Sequence, residues 1–150
     1  MSTEFDLLLQ EYQEALQKYK SGQLNRNYLF KLGKPCQVLQ ENGFSEDDII
    51  MFQKTVRKMI EKHNLSLEQI ALLPEQLQNP LAIFISQQTE LARIVLTEAT
   101  HEENPIVVAL TPTKLNATNI NELKSAYPKE KWVLTAWSIK NLKIWGKEKE

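Results

Sequence analysis

Two histidines, His63 and His101, are the chain's only imidazoles, and one of them sits in company that suggests chemistry. His63 ends a row in which Lys54, Lys58 and Lys62 recur every four residues with Arg57 beside them, so an imidazole of ordinary pKa near 6.5 closes a basic helical face. His101, in Thr100-His101-Glu102-Glu103, reads as an exposed turn. Metal-ligand spacing is missing: there is one cysteine, Cys36, no HExxH and no calcium-loop pattern. Four scattered glycines build neither a Walker loop nor a dinucleotide fingerprint, and no Gly-x-Ser-x-Gly elbow occurs. These patterns predict no metal and no cofactor. Chemistry that needs neither remains open, and RNA hydrolysis is such a case. The substrate brings its own nucleophile, the 2′-hydroxyl. The protein has only to remove that proton, protonate the leaving oxygen and stabilise the phosphate. A histidine with a few Lys, Ser and Tyr groups suffices; the plainer alternative is a histidine capping a basic helix.

Those groups need a scaffold, and composition supplies one. Of 150 residues, 42% are hydrophobic and 25% charged, which provides a core for one domain and excludes a disordered chain. A lone cysteine excludes a disulfide framework and is compatible with a cytoplasmic location. No apolar run approaches the ~20 residues of a membrane span, and Glu4 and Asp6 stand where a secretory leader would be basic, so no membrane association and no cleaved leader are expected. The net charge of −1 hides a polarity: residues 64–113 carry −5 and residues 114–150 carry +4. A basic final quarter suits phosphate contacts, which act locally, and equally suits a solvated lysine tail.

Spacing then places the elements. Phe5, Leu8, Leu9, Tyr12, Leu16 and Tyr19 form the apolar stripe of a helix over 4–19 that stops near Ser21-Gly22. Leu29 to Gly33 is an edge strand or a tucked loop, and Pro35 opens a brief helix that Asn42-Gly43 ends. Ser45, followed by three carboxylates, predicts the cap of a helix over 46–62 whose core face is Ile49, Phe52, Val56, Met59 and Ile60. Ser66 and Gln69 form a capping-box pattern for a short helix to about Leu73, leaving His63 at a joint between helices.

From Pro80 the period shortens. Apolar runs at 81–85, 93–97 and 105–111, separated by polar turns, predict an antiparallel meander, with a fourth strand at 120–127. Trp132 to Ile139 reads as a helix offering Trp132, Leu134 or Ala136, and Ile139 to the core, and Leu142 to Trp145 as a last short strand. The predicted fold class is α+β, with N-terminal helices packed on a small, mainly antiparallel four-stranded sheet. Residues 1–27 form a helical extension, 28–145 the domain and 146–150 a charged tail.

Certain landmarks recur in a familiar order: Leu32-Gly33-Lys34-Pro35 with Leu39 and Gly43, Lys62-His63, Leu72-Leu73-Pro74 and Asn79 to Phe84. Ile94 to Glu98, Pro105 to Val108 and Ser125-Ala126-Tyr127-Pro128-Lys129 follow. Over roughly residues 28–145 this order resembles the C-terminal domain of phage MuF-type head proteins, which is similar to the phage-associated branch of the barnase, EndoU, colicin and RelE nucleases. The resemblance implies a metal-independent, toxin-like ribonuclease, with RNA (tRNA included) as substrate and a cognate immunity or antitoxin protein as partner. Carried onto this chain, its landmarks fall on His63, Ser125, Tyr127 and Lys129, the expected catalytic residues; from their chemistry we assign His63 as general acid or base, Lys129 as phosphate clamp, and Ser125 and Tyr127 as hydrogen-bonding or stacking groups. Lys62, Thr97 and Lys124 are expected to bind substrate, with Thr97 and Ser86, at strand ends, as second-rank candidates. An alternative is a non-catalytic phage or mobile-element interaction domain, which would show an apolar patch built from Trp137, Trp145 and the first helix. A nucleic-acid-binding module without catalysis is a third reading.

Overall fold

The structure, a computed structural model, describes residues 3–148; the last two residues of the expected charged tail lie outside that range. Helices α1 (Thr3–Lys20), α2 (Gln37–Glu41), α3 (Gln53–Glu61), α4 (Leu67–Ala71) and α5 (Leu73–Gln78) occupy the first half, interrupted by strands β1 (Phe30–Lys31) and β2 (Ile49–Met51). Then come β3 (Ala82–Ile85), β4 (Arg93–His101), β5 (Asn104–Leu115), β6 (Thr118–Pro128), α6 (Lys131–Ile139) and β7 (Lys143–Gly146). None of the described helices is long and apolar enough to cross a membrane.

The fold is α+β, but among the described residues its sheet has seven strands rather than four, in the order β1-β2-β6-β5-β4-β3-β7. The predicted meander of β3 to β6 is its centre, and every pairing is antiparallel except that of β2 with β6. Beyond the meander, β7 is the short last strand expected at 142–145, β1 takes the strand alternative at 29–33, and β2 was not expected; at two to four residues none is long enough to show a period. At the β4–β5 and β5–β6 turns, left-handed pairs at Glu102-Glu103 (φ 50° and 73°) and Asn116-Ala117 (φ 51° and 66°) match the twist of the flanking strands.

The helix predicted over 46–62 is half right. Its second half is α3, but Ile49, Ile50 and Met51 form a fully buried strand. Ser45 caps no helix: its hydroxyl donates to Asp47 and accepts the Asp47 N–H, a local turn. The buried Asn121 amide donates to the carbonyls of Ser45 (3.1 Å) and Asp47 (2.8 Å), so a residue from β6 holds this stretch extended for pairing with Asn121 and Glu122. β-branched isoleucines suit a strand as well as a helix face, and the long-range partner decided between them. Pro74 starts α5, where a missing N–H costs nothing, rather than merely ending the helix before it.

Two apolar layers result. Tyr12 and Leu16 of α1, Val56 and Met59 of α3, and Ile70 and Leu77 pack on one sheet face against Ile83, Val95, Ile106, Val108, Leu123 and Ala126. The Tyr12 hydroxyl donates to the Ile70 carbonyl at 2.7 Å, which ties α1 to α4. On the opposite face a smaller cluster of Ala82, Phe84, Ile94, Val107 and Leu134 lies under α6. Within α6 only part of the expected inward set is inward. Leu134 is buried, while Trp132 and Ile139 are 70% and 76% exposed.

One irregularity positions the site. Through Ile106 to Leu110, β5 alternates strictly, even residues toward the large core and odd residues toward the other face. Its partner β6 cannot alternate throughout, because Ala109 pairs with Ser125 but Leu110 pairs with Leu123, leaving Lys124 as an extra residue. This bulge reverses the facing of β6. Leu123 points into the large core, whereas Ser125 and Tyr127, which would share its face in a regular strand, turn to the opposite side with Ala109 and Val107.

Candidate functional site

On that opposite side lies an open cavity of about 590 Å³. Its floor is the sheet: Ile94, Ala109 and Thr111, with Ser125 and Tyr127 turned into place by the bulge. One wall is Trp137 of α6, another the β3–β4 turn from Ser86 to Thr89, and the end of α3 contributes Lys58, with His63 two residues past the helix. Lys124 and Lys129 complete it. Among the described residues that line the cavity none is acidic, so three lysines and a histidine set its charge.

His63 reaches the cavity because of how α3 ends. Asn64 takes a left-handed backbone (φ 57°), which Asn tolerates, and the reversed chain returns the Leu65 N–H to the Met59 carbonyl at 3.1 Å. The half-buried imidazole then lies 5.5 Å from the Tyr127 ring, centroid to centroid and tilted by 37°. Its pKa is pushed below the ordinary value, first by partial burial, then by the charges of Lys58 and Lys62. Burial raises the Tyr127 phenol, which keeps it a proton donor across the neutral range. Lys129 Nζ sits 5.8 Å from the Tyr127 ring centre and 5.7 Å from that of Trp137, a cation between two aromatic faces.

Ser125 is 5% exposed, and its hydroxyl finds no hydrogen-bond partner among the described residues. Buried hydroxyls are nearly always paired, so Ser125, a residue of the cavity lining whose own oxygen is shielded from solvent, keeps unused hydrogen-bonding capacity beside the cavity. Lys124, half exposed, is tethered 3.6 Å from the buried Glu122 carboxylate.

Four expected catalytic residues, His63, Ser125, Tyr127 and Lys129, therefore share one cavity with Lys124 and Ser86. Two expected binding residues do not line it. Thr97 is buried, donates to the Ile106 carbonyl at 2.8 Å and accepts the Ala99 N–H: it serves the sheet. Lys62 is exposed, and its charge acts on His63; Lys58, one turn earlier in the same lysine row, lines the cavity instead. His101 sits at the β4–β5 turn beside Gln69 (3.2 Å). Gln87, Gln88 and Thr89 also line the cavity, where the sequence shows only a polar hairpin connection. Trp137 packs edge-on to Phe84 (5.4 Å), and Trp145 is partly buried against the large core, so neither tryptophan contributes the exposed surface expected of it in a patch with the first helix. Among the described residues no three His, Cys, Asp or Glu side chains gather where they could hold a metal ion.

No curated protein matches the chain, and no solved structure does. A family model, the phage MuF C-terminal domain, matches residues 54–150, a stretch that begins in α3 and includes every residue lining the cavity. The landmarks from Leu32 to Gly43 fall before it. With well over half of its length matched, and the candidate site inside the match, the chain belongs to the phage MuF C-terminal domain family.

Proposed function

We propose that this protein is a metal-independent endoribonuclease of the barnase, EndoU, colicin and RelE kind, cleaving RNA by attack of the 2′-oxygen on the adjacent phosphorus. The observation that carries this reading is the His63–Tyr127 pair inside a cavity whose described lining holds three lysines and no carboxylate. Neutral His63, its pKa lowered, takes the 2′-hydroxyl proton. The oxygen so freed bonds to phosphorus, the bond to the 5′-oxygen breaks, and that oxygen takes a proton from Tyr127 or Lys129, the donors sharing the cavity. The products are a 2′,3′-cyclic phosphate and a 5′-hydroxyl. Lys124 and Lys129 offset the charge that builds on the phosphoryl oxygens, and the unpaired Ser125 hydroxyl donates to one of them.

The test is incubation of the protein with tRNA or total RNA in EDTA, comparing the wild type with His63→Ala. Cleavage that ends in cyclic phosphate and is lost in the variant supports the reading; equal cleavage by both removes His63 from the mechanism, and none by either removes the activity.

A second reading, a non-catalytic interaction domain, draws on the exposed Trp132 and Ile139, which lie seven residues apart on one stripe of α6. It expects intact RNA in both incubations.

A further inference from the structure

We propose that the cavity holds a nucleobase subsite, distinct from its phosphate-binding end, in which a base lies against the indole of Trp137 and is read along its edge by Gln87 and Gln88. This rests on the ribonuclease reading and extends it to substrate recognition.

The cations account for a phosphate but not for the rest of the lining. Ile85, Ala92, Ile94 and Ala109 offer an apolar surface from which a phosphate gains nothing and a base gains burial. At about 590 Å³ the cavity falls in the range of small-molecule sites and is larger than a phosphate needs. Trp137 is fixed by its edge contact with Phe84, and a flat π surface is what an unstacked RNA base seeks.

The β3–β4 turn supplies the edge contacts. Ser86 Oγ accepts the N–H groups of Gln88 (3.2 Å) and Thr89 (3.4 Å), and the Ala92 N–H returns to the Thr89 carbonyl at 3.2 Å, so the turn is braced from inside. The side-chain amides of Gln87 and Gln88 are engaged by no other described residue, and each presents one acceptor and two donors, the complement of a base edge. Lys129 links the two ends. Its ammonium now caps the Trp137 ring at 5.7 Å, and a charge-assisted bond to phosphate is stronger than that contact. An arriving phosphodiester draws the lysine away and uncovers the indole for the base.

The test is calorimetric titration of the wild-type protein with the four nucleoside 3′-monophosphates, ribose 5-phosphate and inorganic phosphate, alongside RNA cleavage. At least one nucleotide should bind about tenfold more tightly than ribose 5-phosphate, and Gln87→Ala with Gln88→Ala, both exposed and so compatible with folding, should reduce that preference below about threefold while phosphate affinity stays. Trp137 fluorescence in a Trp132→Phe, Trp145→Phe background should be quenched by the preferred nucleotide and not by phosphate. Equal affinity for all six ligands, or a preference untouched in the glutamine variant, overturns the subsite even if RNA is cleaved. Base-selective binding without RNA cleavage upholds the subsite and overturns the ribonuclease reading.

Discussion

The imidazole of His63 and the phenol of Tyr127 lie 5.5 Å apart although they come from opposite halves of the chain, one beyond the end of α3 and the other near the end of β6. Helix α3 sets the first by closing through Asn64, and the bulge at Lys124 sets the second by turning the strand's face. Neither residue could be brought to the cavity by local structure alone.

If His63 transfers the proton, His63→Ala should slow RNA cleavage about a hundredfold or more, the usual worth of a positioned acid or base. RNA affinity, measured by filter binding or anisotropy, should fall far less, because the lysines remain. A proportional loss of binding and cleavage would make the ring a binding group.

The titration of His63 has a definite sign. Its folded pKa lies below the ordinary 6.5, so above that pH the ring is neutral in both states and contributes no pH dependence. Below 6.5 the unfolded chain takes up the proton first, and the fold loses stability until the pH passes the lower folded value. NMR should follow the ring titrating below 6.5, and Lys58→Ala should move it back upward. Inorganic phosphate should raise it too, since a bound anion favours the imidazolium.

Ser125→Ala separates function from folding. The hydroxyl is buried and unpaired, so removing it breaks no bond and relieves a desolvated group: chemical denaturation should show stability unchanged or greater by about 1 kcal/mol, while cleavage falls. A clear loss of stability would instead mean that Ser125 serves the sheet.

Asn121→Ala tests the clamp on the strand that the sequence reads as a helix. It removes the amide from the Ser45 and Asp47 carbonyls and should cost about 2 kcal/mol in urea melts, by the usual worth of buried hydrogen bonds. Tyr12→Phe, which loses the hydroxyl bond to Ile70, should cost about 1 kcal/mol. Neither substitution touches the cavity lining, so the cleavage rate at saturating RNA should stay near the wild-type value.

What the sequence determined by itself was whatever repeats locally: the stripe of α1, the capping box of Ser66 and Gln69, and the apolar runs and turns of the meander. It also carried the family landmarks in which His63, Ser125, Tyr127 and Lys129 stand. Three things were left to tertiary structure. Ile49 to Met51 became a strand because β6 offered a partner, although their spacing equally fits a helix. Trp132 and Ile139 turned outward because α6 could bury only the arc carrying Leu134 and Trp137. Ser125 and Tyr127 reached the cavity through one surplus residue, Lys124, and strand periodicity cannot reveal such a bulge, because it arises from the register with a neighbouring strand rather than from the strand's own residues.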